Sequence, residues 1–185
     1  MILLGLTGRA RSGKGVVSEA IKADCAGRCD CKIYEISDYV LAEIQILGKL
    51  PGKTRSMLTK EDLSLLVAHG HERRKEYEDY WLDLVLESMV KDKPDVAILP
   101  NIRFNNEAFF VRYGFPERGK VIRVRSVIQD GLDYISPDRD PNDPMEYENL
   151  SIEADYFLTV KRGQTALLKK QAITLFDYIT HEANN

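Results

Sequence analysis

An apolar run, Ile2-Leu3-Leu4-Gly5-Leu6, passes through Thr7 into Gly8-Arg9-Ala10-Arg11-Ser12-Gly13-Lys14, and a helical pattern opens directly behind it. No other stretch restricts the fold as tightly. A short continuous apolar run reads as a strand buried on both faces. Glycines at both ends of the following loop let the backbone wrap closely round an anion with its N–H groups pointing inward. Lys14 supplies a point charge for outer phosphates, and the helix N-terminus adds unpaired donors and partial positive charge. The segment therefore reads as a phosphate-binding loop, with Gly8, Arg11, Ser12, Gly13, Lys14, Gly15 and Val16 as the candidate nucleotide-binding residues. A Gly-rich turn that merely joins a strand to a helix is the bland alternative.

The loop departs from the usual pattern at one position. Gly-Lys is commonly followed by Ser or Thr, whose hydroxyl ligates magnesium. Here Gly15, Val16 and Val17 follow Lys14. Either the metal is held mainly by nucleotide phosphates, water and a carboxylate elsewhere, with no side-chain metal site legible in the sequence, or the chain binds nucleotide without turning it over well.

The 185 residues, 44% hydrophobic and 30% charged, suit one globular domain spanning 1–185. A net charge of -3 argues against a general nucleic-acid surface. No apolar run reaches the ~20 residues that span a bilayer, and the N-terminal run lacks a basic leader, so the expected setting is soluble and cytoplasmic, without a membrane partner. The three cysteines, Cys25, Cys29 and Cys31, are odd in number and suggest reduced thiols.

Helical spacing of Val17, Ala20 and Ile21 continues to a stop near Gly27. A second strand is expected over 32–36, with Ser37 as N-cap of the next helix and Asp38 in its first turn, at the strand end where α/β proteins bind ligands. The basic loop 48–55 carries Arg55. Thr59-Lys60-Glu61-Asp62 resembles a capping box, and the charged turn 71–75, including Arg73, reads as a solvated part of a helix. His69 and His71 read as surface or packing residues. A further helix carries Trp81, Leu84, Val85 and Ser88 on one face.

Asp95-Val96-Ala97-Ile98-Leu99-Pro100 reads as a strand buried on both faces, and Arg103 just beyond it is placed to grip a phosphate in a bidentate manner. The run 119–125 is a fourth strand with Arg123 and Arg125 late in it. Over 126–149 the chain turns rich in proline, asparagine and acids, as expected of an exposed lid, and this segment contains Arg139. A strand over 154–160 and a helix with Leu168, Ala172, Leu175, Phe176 and Ile179 on one face close the chain. The implied architecture is α/β: a five-stranded parallel sheet in a three-layer αβα sandwich.

Three segments together resemble the P-loop deoxynucleoside monophosphate kinases of bacteriophage type. They are Arg11-Ser12-Gly13-Lys14; Gly70-His71-Glu72-Arg73 with Tyr80-Trp81; and Asn101-Ile102-Arg103-Phe104-Asn105-Asn106-Glu107-Ala108, similar to the family's Asp-Val-Arg-Phe-Pro-Asn-Glu-Ala. The loop, Asp38 after the second strand and the closing Ala154-Asp155-Tyr156 also look like dephospho-coenzyme A kinase. Against the phage pattern, Asn101 replaces an aspartate near the magnesium, and Asp143-Pro144-Met145-Glu146-Tyr147-Glu148 lacks the family's lid His and Ser.

The resemblance implies a P-loop kinase fold with a mobile lid, ATP and Mg2+ as cofactors, and small-molecule nucleotides as partners, with a homodimer among the open assemblies. It implies that Lys14 holds the β- and γ-phosphates, Arg103 the acceptor phosphate, and that Arg125 and Arg139 close over the transferring group. Asp38 would orient the acceptor or a metal-bound water, and Arg55 and Arg73 would line the acceptor pocket. The other open readings are a nucleotide-binding regulatory module that has lost turnover, and a metal or thiol sensor built on the three cysteines.

Overall fold

The computed structural model describes residues 1–115, 118–128, 131–137 and 149–183. In chain order the elements are β1 (Ile2–Thr7), α1 (Lys14–Cys25), β2 (Cys31–Ile33), α2 (Ile36–Ile46), a 3-10 turn (Arg55–Met57), α3 (Lys60–Glu76), α4 (Tyr80–Asp92), β3 (Val96–Leu99), α5 (Asn105–Gly114), β4 (Gly119–Val127), β5 (Tyr156–Lys161) and α6 (Thr165–Glu182). They fall into two compact units, Met1–Ile33 with Lys93–Asn185, and Tyr34–Asp92.

In the larger unit all five strands run parallel in the order β2-β3-β1-β4-β5. Apolar side chains fill both faces of the central strands, which is why β1 and β3 read as uninterrupted apolar runs. On one face Leu4, Leu6, Ile98, Ile122 and Val124 pack against Val17 and Ile21 of α1 and Leu168, Phe176 and Ile179 of α6. The opposite face takes α5, which approaches so closely that a Cβ on Gly5 would meet Val111 Cγ2 at 2.9 Å. Helices thus cover both sides of one parallel sheet, the three-layer αβα arrangement expected of alternating strands and helices.

The second strand is shorter than its sequence suggests. It covers Cys31–Ile33, and α2 begins at Ile36 with Glu35 at the N-cap position. Ser37 therefore lies inside the helix, and its hydroxyl turns back to Glu35 at 3.4 Å. Asp38 does fall in the first turn, as expected.

The smaller unit gathers α2, α3 and α4 around Val40, Leu41, Ile44, Leu66 and Trp81. The Trp81 indole N–H donates to the Gly70 carbonyl at 3.0 Å, so the large ring brings no unpaired polar atom into that core. The capping box read at Thr59 and Asp62 is present. The Thr59 hydroxyl accepts from the Asp62 N–H, and Asp62 Oδ2 accepts from the Thr59 N–H. Lys53 Nζ lies 2.5 Å from the same carboxylate, which with the two caps holds Asp62 below its ordinary range.

Among the described residues no helix is long and apolar enough to cross a membrane. Arg139 and most of the lid, 138–148, lie outside the described residues.

The junction of α5 and β4 generates a test of this packing. A Cβ on Gly119 would lie 1.7 Å from the Val111 carbonyl oxygen, a backbone atom that cannot rotate away. Gly119→Ala is expected to cost at least ~3 kcal/mol, the upper range for overpacking, in urea unfolding. An unchanged unfolding midpoint would contradict the close crossing.

Candidate functional site

The loop expected to cradle phosphate joins β1 to α1 at the C-terminal edge of the parallel sheet. Its glycines are required by conformation and by space. Gly8 has φ +133°, and a Cβ there would fall 2.2 Å from the Val124 carbonyl oxygen. Gly13 has φ +108°, and a Cβ there would fall 2.5 Å from Leu168 of α6. Arg11 also takes a left-handed conformation, with φ 59°. The turn is closed by the Ser12 N–H donating to the Arg9 carbonyl at 3.2 Å.

Lys14 opens α1, and its ammonium curls back over the loop, donating to the Gly8 and Arg9 carbonyls at 2.6 and 2.9 Å. The first turn of α1 contains no acidic residue, so nothing cancels the positive end of the helix dipole. The Ser12 hydroxyl is buried with no hydrogen-bond partner among the described residues. An orphaned hydroxyl at a glycine-rich strand-to-helix turn suits a ligand that brings its own acceptors, as a phosphate does.

A small cleft opens beside this loop, lined by Gly8, Arg9, Ser12, Arg123, Arg125 and Tyr134, among others. The register of β1 against β4 pairs Thr7 with Arg123, so the end of β4 is carried directly alongside the loop. Arg125 grips Asp133 through Nε at 2.9 Å and Nη2 at 2.8 Å, and Arg9 Nε reaches the other Asp133 oxygen at 3.7 Å. One carboxylate thus holds two guanidinium groups at the rim. Arg123 is buried, and burial pushes its guanidinium below its ordinary range, although the Asp133 charge opposes that shift. Its Nη2 donates to the carbonyls of Asn149, Leu150 and Ile152. Arg123 is therefore a structural tie for the segment entering β5, while Arg125 faces the cleft.

Arg103 stands where the sequence places it, past the end of β3. The Ile102 N–H donates to the Leu6 carbonyl at 3.0 Å, fastening this loop to the end of β1. The buried Glu107 carboxylate accepts from the Arg103 and Phe104 N–H groups at 2.6 and 3.3 Å. In the Arg-Phe-Asn-Asn-Glu stretch the glutamate is thus the cap of α5, and the backbone of Arg103 is locked in consequence. Lys14, Arg103 and Arg125 all issue from the C-terminal ends of neighbouring parallel strands, β1, β3 and β4.

The smaller unit holds the other three candidates. Asp38 and Arg55 come together: Arg55 Nη1 lies 3.1 Å from Glu35 and 3.6 Å from Asp38, and both members of the latter pair are about half exposed. Arg73 is differently placed. Its Nε and Nη2 each reach Glu43 Oε1 at 2.6 Å, and its Nη1 reaches Glu76 at 3.1 Å. Within the turn read as solvated Glu72 and Lys75 are exposed as expected, but Arg73 is drawn inward by Glu43, which also accepts from the Tyr80 hydroxyl at 2.8 Å and pairs with His69 Nε2 at 3.1 Å. Burial raises the Glu43 carboxyl, but the bonds from Tyr80, Arg73 and His69 outweigh it and hold the group below its ordinary value. Glu43 was not legible as special, since it sits one position off the Val40, Leu41, Ile44 stripe; an acid so close to an apolar face is the only signal.

The chemistry of the donors separates the two cofactors. The backbone cradle, the Ser12 hydroxyl, Lys14 and the rim arginines suit a triphosphate. Among the described residues the metal side does not fit a protein-held Mg2+: Gly15 offers no side chain, and Asp133, the carboxylate that lines the cleft, is taken up by Arg9 and Arg125. Among the described residues no group of three or more His, Cys, Asp or Glu could hold a metal, the three cysteines included. Cys25 and Cys31 are buried in the apolar core, and burial pushes both thiols up, Cys31 to about 11, so neither is poised to react as a thiolate.

Two outcomes check this description. Because the Glu43 carboxyl lies lower in the folded chain than the ordinary value of about 4.3, its contribution is present above that value and is lost as pH falls through the folded one. Glu43→Gln is expected to lower unfolding free energy by about 2 kcal/mol at pH 7, a difference that shrinks in urea titrations carried out below pH 4. A Cβ on Gly15 meets nothing within 4 Å and its φ is ordinary. Gly15→Ser should therefore fold normally, and calorimetry should show the affinity for MgATP rising several-fold relative to metal-free ATP.

No known family's sequence profile matches the chain, and no curated protein matches it. Solved structures do. The shikimate kinase of Aquifex aeolicus vf5 superposes with a TM-score of 0.53 at 15% identity, covering 95% of this chain and 96% of that one. A sugar kinase from Janibacter sp. HTCC2649 superposes with a TM-score of 0.51 at 15% identity, covering 96% of this chain and 95% of that one. At this identity the likeness concerns the backbone, and it shows that the chain has the α/β fold of these two structures over 95–96% of its length.

Proposed function

We propose that the chain is an ATP-dependent phosphotransferase that moves the γ-phosphoryl group to a small acceptor, with a (deoxy)nucleoside monophosphate as the acceptor class. The observation that carries this reading is the cleft in which the loop residues Gly8 and Ser12 meet Arg125 from β4, beside the ammonium of Lys14. The fold shared with a shikimate kinase and a sugar kinase supports the reaction class. The choice of acceptor rests on the resemblance of the Arg103 stretch to the phage-type enzymes.

In such a transfer the protein contributes position and charge rather than covalent chemistry. The loop N–H groups and the Ser12 hydroxyl bind the donor phosphates. Lys14 exchanges its carbonyl partners for β- and γ-oxygens. An acceptor oxygen attacks the γ-phosphorus as the bond to the leaving ADP oxygen breaks. Arg125, which lines the cleft beside the loop, neutralises equatorial charge, and Arg103, fixed at its backbone by Glu107, holds the acceptor's own phosphate. No side chain at the cleft is assigned to hold a metal, in keeping with Gly15; a Mg2+ brought by the nucleotide would supply shielding of phosphate charge. Asp38 and Arg55, paired within the smaller unit, enter as acceptor-binding residues on the strength of the family resemblance alone. Arg73, committed to Glu43 and Glu76, shapes that unit rather than touching phosphate.

One observation favours a second reading. The missing side chain at Gly15 suits a nucleotide-binding regulatory module that no longer turns over. Steady-state assays with each monophosphate, dephospho-coenzyme A, shikimate and simple sugars separate the two. Transfer to at least one acceptor is expected, reduced ~100-fold or more in kcat/KM by Lys14→Ala, the scale for loss of one oxyanion-stabilising donor. Tight ATP binding with no product from any acceptor would replace the enzyme with the module.

A further inference from the structure

Asn149 has no part in the phosphotransfer scheme above, yet its side chain makes three hydrogen bonds there, two to Gly8 of the loop and one to Thr7 at the end of β1. Oδ1 accepts from the Gly8 N–H at 3.1 Å and from the Thr7 hydroxyl at 2.8 Å, and Nδ2 donates to the Gly8 carbonyl at 3.1 Å. The residue is 4% exposed, and its own carbonyl accepts from Arg123 Nη2 at 3.2 Å. A primary carboxamide here pairs with both polar groups of a single backbone residue, as a neighbouring strand would. It does so across 141 positions of sequence.

Gly8 is the loop residue most in need of such a partner. With no Cβ and a φ of +133°, its flanking peptides are free to rotate unless something outside the loop holds them. Its carbonyl is also the nearer of the two oxygens on which Lys14 rests. The Asn149 amide and the Lys14 ammonium therefore share one acceptor. We propose that Asn149 is a positioning residue for the phosphate seat: its carboxamide fixes the Gly8 peptide and, through the shared carbonyl, sets where the Lys14 ammonium lies. This rests on the reading of the loop as a nucleotide site.

The geometry demands a group that donates and accepts at once. An ionised aspartate offers only acceptors, so its second oxygen would face the Gly8 carbonyl in repulsion and bring negative charge to an anion site. Protonation gives that oxygen an O–H and restores the missing donor. Leucine matches the shape and lacks both functions.

The test uses the full chain carrying Asn149→Asp or Asn149→Leu, with melting temperature as the check on folding and Asn149→Ser standing in for a Leu variant that does not fold. ATP affinity is measured by calorimetry from pH 5 to 8 and expressed as the ratio of variant to wild-type Kd at each pH. Amide hydrogen exchange at Gly8 is measured without nucleotide. The expected result is at least tenfold weaker ATP binding for Asn149→Asp at pH 8, recovering as pH falls. Asn149→Leu should be weak across the range, with Gly8 exchange accelerated at least tenfold. A merely structural asparagine would lower the melting temperature without the pH-dependent ratio. Folded variants that bind ATP within twofold of wild type at every pH, with Gly8 exchange unaltered, would overturn the assignment. Accelerated Gly8 exchange in a protein whose wild type binds no ATP would overturn the nucleotide reading while leaving the hold on Gly8 in place.

Discussion

The close approach of Gly8 to the Val124 carbonyl governs the arrangement of the larger unit's functional edge. Only a residue without a Cβ can lie there, because a methyl group would stand 2.2 Å from that oxygen. The contact presses the loop onto β4, and the same strand then delivers Arg123 and Arg125 beside it. Arg123 turns its guanidinium to carbonyls of the chain entering β5. Arg125 keeps to the cleft, steered by Asp133. A buried cation satisfied by three carbonyls and a rim cation satisfied by a carboxylate differ by two positions, which puts both on the same side of the strand.

The rest of that edge is built by short polar ties to the backbone. Glu107 locks the turn bearing Arg103, Asn149 and Lys14 meet at Gly8, and Arg162 donates to the Arg11 carbonyl at 2.9 Å while lying 3.9 Å above the Tyr134 ring. Each tie meets a backbone group that a turn leaves exposed. The glycine-rich loop has little rigidity of its own, and Asn149, Lys14 and Arg162 supply it from three separate parts of the chain.

Within the smaller unit the governing group is Glu43. A carboxylate beside an apolar core is tolerable only when its lone pairs are taken, and Tyr80, Arg73 and His69 take them. Trp81 completes the cluster, its ring edge-on to both Tyr80 and His69. Arg73 is consequently a brace for three helices, whereas Arg55, about half exposed, pairs with the largely covered Glu35 and the exposed Asp38 at the start of α2.

Much of this was written in the local sequence. Strand positions followed from apolar runs, the capping box from Thr59 and Asp62, and the tight strand-to-helix turn at Gly8 and Gly13 from glycine spacing, because each depends on residues within a few positions of one another. The end of β2 was misplaced by three residues, since the alternating pattern of 32–36 runs on into the first turn of α2 and only the sheet decides where pairing stops. The roles of Asn149, Asp133 and Glu43 were decided by tertiary structure alone. Their partners lie far off in sequence, up to 142 positions for Thr7 and Asn149, and no periodicity records a hydrogen bond between residues that only folding brings together.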